Sequence, residues 1–413
     1  MKLLLIKLIE PTRETQKQTY TPPIGLWSIR SNADAEVRIL DMHLAAKNGE
    51  SHAYGELICT LVDFRPEAVG LSAQFSIQDA QYRIVSGIVR NVCPGVSIAA
   101  GGFHASAIDP LPGVSVCHGE GEPFFNKARG EYAEYQDPGF ETAEIKPYWE
   151  INRPHDLQSK TDRWMPIETS RGCIRACEFC GVRNFWGKWR GKGIDQIDGY
   201  LRYLIERGVQ EIFIEDDNIA VDPDRFLVLM SLFRDHGMWW SCPNGIEINS
   251  IADWIGDINR PLSSSKCWRL SLPFETGCES TAELMRLDSK WIPFDHARLI
   301  VEELQDEGIL TCGFFIIGYP GETLCDMQQT LDYANALPLD QRNIYITTPY
   351  PGTPLYDRCK RDGYLVSDGE DLYKNLLYTK SQIHTDDFTP EQVEELKQED
   401  RRQAIERPPV KQR

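Results

Sequence analysis

Nowhere in its 413 residues does the chain carry an apolar run long enough to span a bilayer. The opening MKLLLIKLIEP is apolar for only a few residues and has no small-residue cleavage site. It reads as the buried first strand of a cytoplasmic protein. Positive charge is also short. Lys and Arg number 44 against 62 Asp and Glu, a net charge of −18. A field of that sign opposes nucleic acid and anionic membrane as partners. It suits a small cationic substrate, although an acidic surface also serves solubility. A second C-x2-C pair is missing too. Nine of the twelve cysteines (Cys59, Cys93, Cys117, Cys242, Cys267, Cys278, Cys312, Cys325 and Cys359) form none, which argues against a second cluster domain. In a chain this long they make no secreted disulfide framework and read as small buried apolar residues. Cys267 and Cys278 draw notice only because they flank an apolar strand.

The remaining three cysteines, Cys173, Cys177 and Cys180, stand in RGCIRACEFC as C-x3-C-x2-C with no fourth nearby. Thiolates hold iron–sulfur clusters, and a four-iron cube normally takes one cysteine per iron. Three ligands leave one iron open, which is what direct substrate activation requires. A structural zinc site is the competing reading, but zinc prefers four ligands and C-x2-C pairs. Three unconnected buried thiols are the other.

Around the triplet, short apolar runs alternate with helical patterns, the rhythm of a parallel α/β fold. Residues 3–8, 36–40, 68–74, 96–102 and 113–122 read as five strands of a doubly wound sheet over 1–125. A linker rich in Glu, Tyr and Pro occupies 126–160 and includes Asp137-Pro138-Gly139. From 161 to 365 the rhythm resumes in WMPIETS, EIFIEDDN, WRLSLPFET, ILTCGFFIIGYPGE and NIYITTPYPGTPLY, the units of a full or partial barrel with chemistry at the strand ends. The extension 366–413 reads as helical, with a disordered end at RPPVKQR.

The cysteine loop closely resembles the cluster motif of the radical S-adenosylmethionine (SAM) superfamily. Phe179 stands where that family places an aromatic residue beside adenine. The resemblance implies a [4Fe-4S] cluster ligated by Cys173, Cys177 and Cys180. It also implies SAM chelated at the open iron and cleavage to a 5′-deoxyadenosyl radical. The family's further motifs follow in order. Asp216, Asp217 and Asn218 close the second barrel strand beside SAM or substrate, with a helix-capping role as the plain alternative; the first two are the candidate catalytic acids. Glu275 resembles the fourth-strand glutamate that contacts SAM, in Glu-Thr-Gly where Glu-Ser-Gly is usual. Lys290 matches a lysine near the SAM carboxylate, and Arg269 is a weaker candidate. Gly313, Ile316 and Gly318 resemble the G-x-I-x-G strand under adenine, followed by PGET. Pro349 and Tyr350 lie in PYPGTPLY, the last adenine-facing turn. Trp186, Trp189 and Arg190 resemble a segment that covers the cluster.

The N-terminal phrases PPIGLW, ILDMH, GLSAQ, GGFHAS and GEGE resemble the cobalamin-binding domain of one radical SAM subclass. DMHLAA lacks the D-x-H-x-x-G pattern, so His43 reads as a loop histidine and bound cobalamin stays open. Two activities follow from the resemblance. One is hydrogen abstraction from a small polar, cationic metabolite such as an aminoglycoside or amino sugar, leading to deoxygenation or dehydration in antibiotic biosynthesis. The alternative is a cobalamin-dependent radical C-methyltransferase of a natural-product precursor. Either needs a small-molecule substrate and an electron donor such as a flavodoxin or a dedicated reductase.

Overall fold

A computed structural model describes residues 1–10, 19–125, 137–152, 159–252, 261–287 and 290–406. They fall into two units, Met1–Asp162 with Asp368–Lys374, and Arg163–Ser367 with Asn375–Arg413. No described helix is long and apolar enough to cross a membrane.

The first unit is built on five parallel strands, β1 (Lys2–Lys7), β2 (Glu36–Asp41), β3 (Ala68–Ser72), β4 (Ser97–Gly101) and β5 (Val114–Cys117), in the order β2-β1-β3-β4-β5. Alternate residues of β1 face opposite sides, as a period of two dictates. Leu4 and Ile6 pack with Leu57, Leu61, Tyr82, Val85 and Val89 on one face. Leu3 and Leu5 pack with Leu26, Ile29, Ile39 and Phe125 on the other. Burial on both faces explains why β1 reads as a continuous apolar run. The helix Asp79–Val92 buries Tyr82, Val85, Ser86 and Val89, the spacing of one helical face.

Where the sequence suggested a linker, Thr142–Ile151 is a helix of the first unit. The short helix Gly369–Tyr373, from the C-terminal extension, also belongs to this unit. Tyr373 meets the His104 ring edge-on at 5.1 Å, and Glu370 pairs with Arg83 at 3.3 Å.

The second unit holds six parallel strands: β6 (Trp164–Ile167), β9 (Glu211–Ile214), β10 (Trp239–Cys242), β11 (Cys267–Glu275), β12 (Leu310–Ile317) and β13 (Gln341–Ile346). Their order is β13-β12-β11-β10-β9-β6. Among the described residues β6 and β13 do not pair, so the sheet is a partial barrel. A two-stranded antiparallel ladder, β7 (Ser170–Arg171) with β8 (Arg190–Gly191), lies just beyond β6. Helices precede the strands they feed. Asp222 caps one of them by accepting from the Arg225 N–H at 3.0 Å, with Pro223 in its first turn.

The charged tail forms the helix Pro390–Glu406, whose Asp400 binds Arg342 of β13 at 2.8 Å. The expected disordered end at 407–413 lies outside the described residues, as does the interval 126–136.

Candidate functional site

The strands of a parallel sheet direct their carboxyl ends to one side, and the cysteine loop leaves β6 on that side. It is stapled at its base. In the β7–β8 ladder Ser170 pairs with Gly191 and Arg171 with Arg190, so residues 172–189, with all three cysteines, form one closed excursion. Gly172 opens it with φ +87°, a conformation that favours glycine. A side chain there would also meet the Lys188 carbonyl oxygen at 3.1 Å.

Asp216 and Asp217 hold this base down from the end of β9. Asp216 is fully buried. Its Oδ1 accepts from the Thr169 N–H at 2.6 Å, and its Oδ2 accepts from the hydroxyls of Thr169 at 2.6 Å and Ser170 at 2.5 Å. Burial raises its pKa, and these donors oppose the rise. Asp217 accepts from the Gly172 N–H at 2.8 Å, and burial pushes it up to about 6. Asp216, expected beside SAM or substrate, is here bonded on both oxygens to the chain that enters the cysteine loop.

Asn218 is buried as well. Its Nδ2 donates to Glu247 Oε2 at 3.0 Å and its Oδ1 accepts from the Ala220 N–H at 3.2 Å. Glu247 also holds Arg175, which lies inside the cysteine loop, through a two-pronged ion pair. Neither Glu247 nor Arg175 was singled out from the sequence. Nothing in local spacing links them, because the pairing spans 72 residues.

Cys173 and Cys180 are half-buried and Cys177 is buried. All three are free thiols close enough to influence one another's charge. Burial pushes Cys177 up to about 11 and Cys180 up to about 12. Among the described residues no three His, Cys, Asp or Glu side chains are gathered tightly enough for one metal ion. In a four-iron cube the cysteines would go to separate irons.

Across the strand ends, Glu275 closes β11 with φ +65°, a left-handed backbone at a residue other than glycine. The β11–β12 register shifts there, between Pro273 and Glu275. Strain of this kind concentrates at functional sites. Glu275 Oε1 accepts from Lys290 Nζ at 2.6 Å. Burial alone would lower the Lys290 pKa; the Glu275 carboxylate outweighs it and raises it. A carboxylate and an ammonium thus stand together near the cysteines, and Phe179 is half-buried in the same loop. This donor set matches a zwitterion that offers an amine, a carboxylate and ribose hydroxyls.

The two glycines of the adenine motif have other reasons to lack a side chain. A Cβ on Gly313 would lie 2.5 Å from Leu339 Cδ1 and 2.8 Å from Phe315 Cε2, on the face packed against helices. One on Gly318 would lie 2.8 Å from Val393 Cγ1 of the C-terminal helix. Their absent side chains serve packing. Ile316, on the opposite face of β12 from Phe315, is half-buried. Pro349 is buried, and Tyr350 meets Tyr378 at 6.0 Å.

In the first unit His43 is buried with both ring nitrogens engaged. Nδ1 accepts from the Glu10 N–H at 3.0 Å and Nε2 faces the Thr19 carbonyl at 3.1 Å. The backbone thus holds its ring from both sides. At the ends of β3 and β4 the backbones are in close contact, since a Cβ on Gly102 would meet the Ala73 carbonyl at 2.5 Å.

Residues 167–334 match the radical SAM superfamily model. Cytidylyl-2-hydroxyethylphosphonate methyltransferase of Streptomyces wedmorensis is 28% identical over 264 residues, 62% of this chain and 48% of that protein. The chain thus spans about half the length of that relative. An uncharacterized methyltransferase of Pyrococcus horikoshii is 25% identical over 432 residues, 96% of this chain and 90% of its own. The fold matches that of the radical SAM methyltransferase TsrM from Kitasatospora setae, solved with cobalamin and a [4Fe-4S] cluster. That match has a TM-score of 0.64 at 13% identity and covers 87% of this chain and 75% of that one.

Proposed function

From a chain that carries a radical SAM domain at residues 167–334, and so implies a [4Fe-4S] cluster and SAM, we propose a cobalamin-dependent radical SAM methyltransferase acting on a small molecule. One observation carries the choice. Similarity to a methyltransferase runs through both units, over 96% of the chain, including the five-stranded sheet that a barrel alone would not need. Sequence reasoning put amino-sugar deoxygenation first and methylation second. The relatives support the second better than the first.

When bound, the cluster supplies one electron at an open iron, and SAM supplies a methyl group and a radical precursor. The residues described above do the rest. Cys173, Cys177 and Cys180 would ligate the cluster, and Asp216, Asp217 and Gly172 fix the loop that bears them. Glu275 and Lys290 offer complementary charges to the amino-acid part of SAM. Trp186, under the Arg171 guanidinium at 4.8 Å, and Trp189 add apolar bulk around the loop and keep water from it. An external one-electron donor, a flavodoxin or a dedicated reductase, completes the system.

The test is anaerobic reconstitution with iron, sulfide and hydroxocobalamin, followed by gel filtration and a visible spectrum. A retained corrinoid chromophore in addition to the cluster absorption is expected. Cluster-bearing protein that cleaves SAM but keeps no corrinoid would refute the methyltransferase and restore the deoxygenation reading.

A further inference from the structure

Glu178 stands between Cys177 and Cys180 and is only 5% exposed. Desolvating a carboxylate is costly unless it is well partnered. Here the partners come from far along the chain. Oε2 accepts from the Tyr319 hydroxyl at 2.5 Å and from Arg358 Nη1 at 2.8 Å. Arg358 also donates from Nη2 to the Pro320 carbonyl at 2.5 Å. The backbone of Glu178 makes two more ties. Its N–H donates to the Met285 carbonyl at 3.1 Å, and its own carbonyl accepts from the Leu355 N–H at 2.9 Å.

Tyr319 is fully buried and directly follows Gly318 at the exit of β12. Its N–H donates to Glu322 Oε2 at 2.6 Å, so it is fixed at both ends. The carboxylate of Glu178 therefore joins the cysteine loop to the exit of the strand expected to carry adenine. The backbone ties would survive removal of the side chain, since any residue makes them. The carboxylate bonds would not.

We propose that Glu178 is a positioning residue. Through Tyr319 and Arg358 it holds the cysteine loop and the β12 exit in one frame, so that the open iron and the SAM slot keep a fixed separation. This rests on the radical SAM reading above and does not depend on methyl transfer or on a corrinoid.

Glu178→Gln, Glu178→Ala and Tyr319→Phe, each reconstituted anaerobically, test it with three readouts. These are bound iron, the EPR spectrum of the reduced cluster titrated with SAM, and KM against kcat for 5′-deoxyadenosine formation. Iron should match the unaltered protein in all three variants. In Glu178→Ala the SAM concentration for half of the spectral change should rise about tenfold, the loss expected for charged hydrogen bonds. KM should follow, with kcat less affected. Glu178→Gln still accepts from Tyr319 and should fall between. An unchanged SAM titration in Glu178→Ala and Tyr319→Phe overturns the proposal. Loss of iron in step with the SAM response across all three also overturns it, because Glu178 would then be a brace for folding alone. Failure of the unaltered protein to cleave SAM sinks the radical SAM reading instead, and the spectral titration still reports on Glu178.

Discussion

Replacing Gly172 by alanine should damage the cysteine loop before any cofactor is bound. With φ at +87°, the position lies where an L side chain meets its own backbone; that conformation costs ~1–2 kcal/mol. The new Cβ would also press on the Lys188 carbonyl oxygen at 3.1 Å and Trp189 Cα at 3.2 Å. Both are backbone atoms next to the short β8 strand, so relief means opening the ladder. Opening it weakens the bond from the Gly172 N–H to Asp217, worth about 1 kcal/mol more. The total is ~2–3 kcal/mol, which in a domain of this size lowers the melting temperature by roughly 5–10 °C. Thermal unfolding of the apoprotein by circular dichroism reads the first effect. Iron and sulfide per chain after reconstitution, against a Cys173/Cys177/Cys180 triple alanine variant as the empty reference, read the second. An alanine variant that melts within ~1 °C of the parent and takes up the same iron would refute the reasoning.

Glu275→Ala should weaken SAM binding by ~1–3 kcal/mol, measured by equilibrium dialysis with labelled SAM. Unchanged affinity in a folded variant would leave Glu275 only its ion pair with Lys290. The Glu322 carboxyl, fully buried beside the Tyr319 N–H, is pushed by burial from 4.5 up to about 8. The folded chain thus keeps a proton that the unfolded chain releases above pH 4.5. Its contribution is whole below that pH and is lost as pH rises through 8. Chemical denaturation at a series of pH values should show that decline in the parent and a flatter one in Glu322→Gln; equal slopes would exclude Glu322 as its source.

Much of this molecule is legible in its sequence, and the illegible parts share a cause. The β1 and β3 runs announce themselves because both faces are buried, so Leu3–Ile6 and Ala68–Leu71 carry no polar side chain. Cys173, Cys177 and Cys180 are legible because a cluster imposes ligands at short spacing. By contrast β10 is only Trp239–Cys242, too short for any period to show. The β7–β8 ladder is two residues a side, and its register depends on contacts across the whole cysteine loop. Asp216 and Asp217 were found, but their bonds to the base of the cysteine loop were not. A strand-end acid looks the same whether it meets a ligand or a backbone N–H 45 residues earlier. Glu178 was passed over for the same reason, since its partners lie 141 and 180 residues away.

The helix Gly369–Tyr373 has a consequence for how the chain is made. The first unit has its sheet and most of its core by Asp162, yet it is finished only by Asp368–Lys374. On a ribosome adding about 5–20 residues each second, that last piece arrives roughly ten to forty seconds later. Throughout that wait Arg83 lacks Glu370, and His104 presents its ring without the cover of Tyr373. The nascent first half therefore passes through a stage with an open seam. A fragment cut at Asp162 would keep that seam for good, so a binding study made on such a fragment would concern a surface the whole protein never shows.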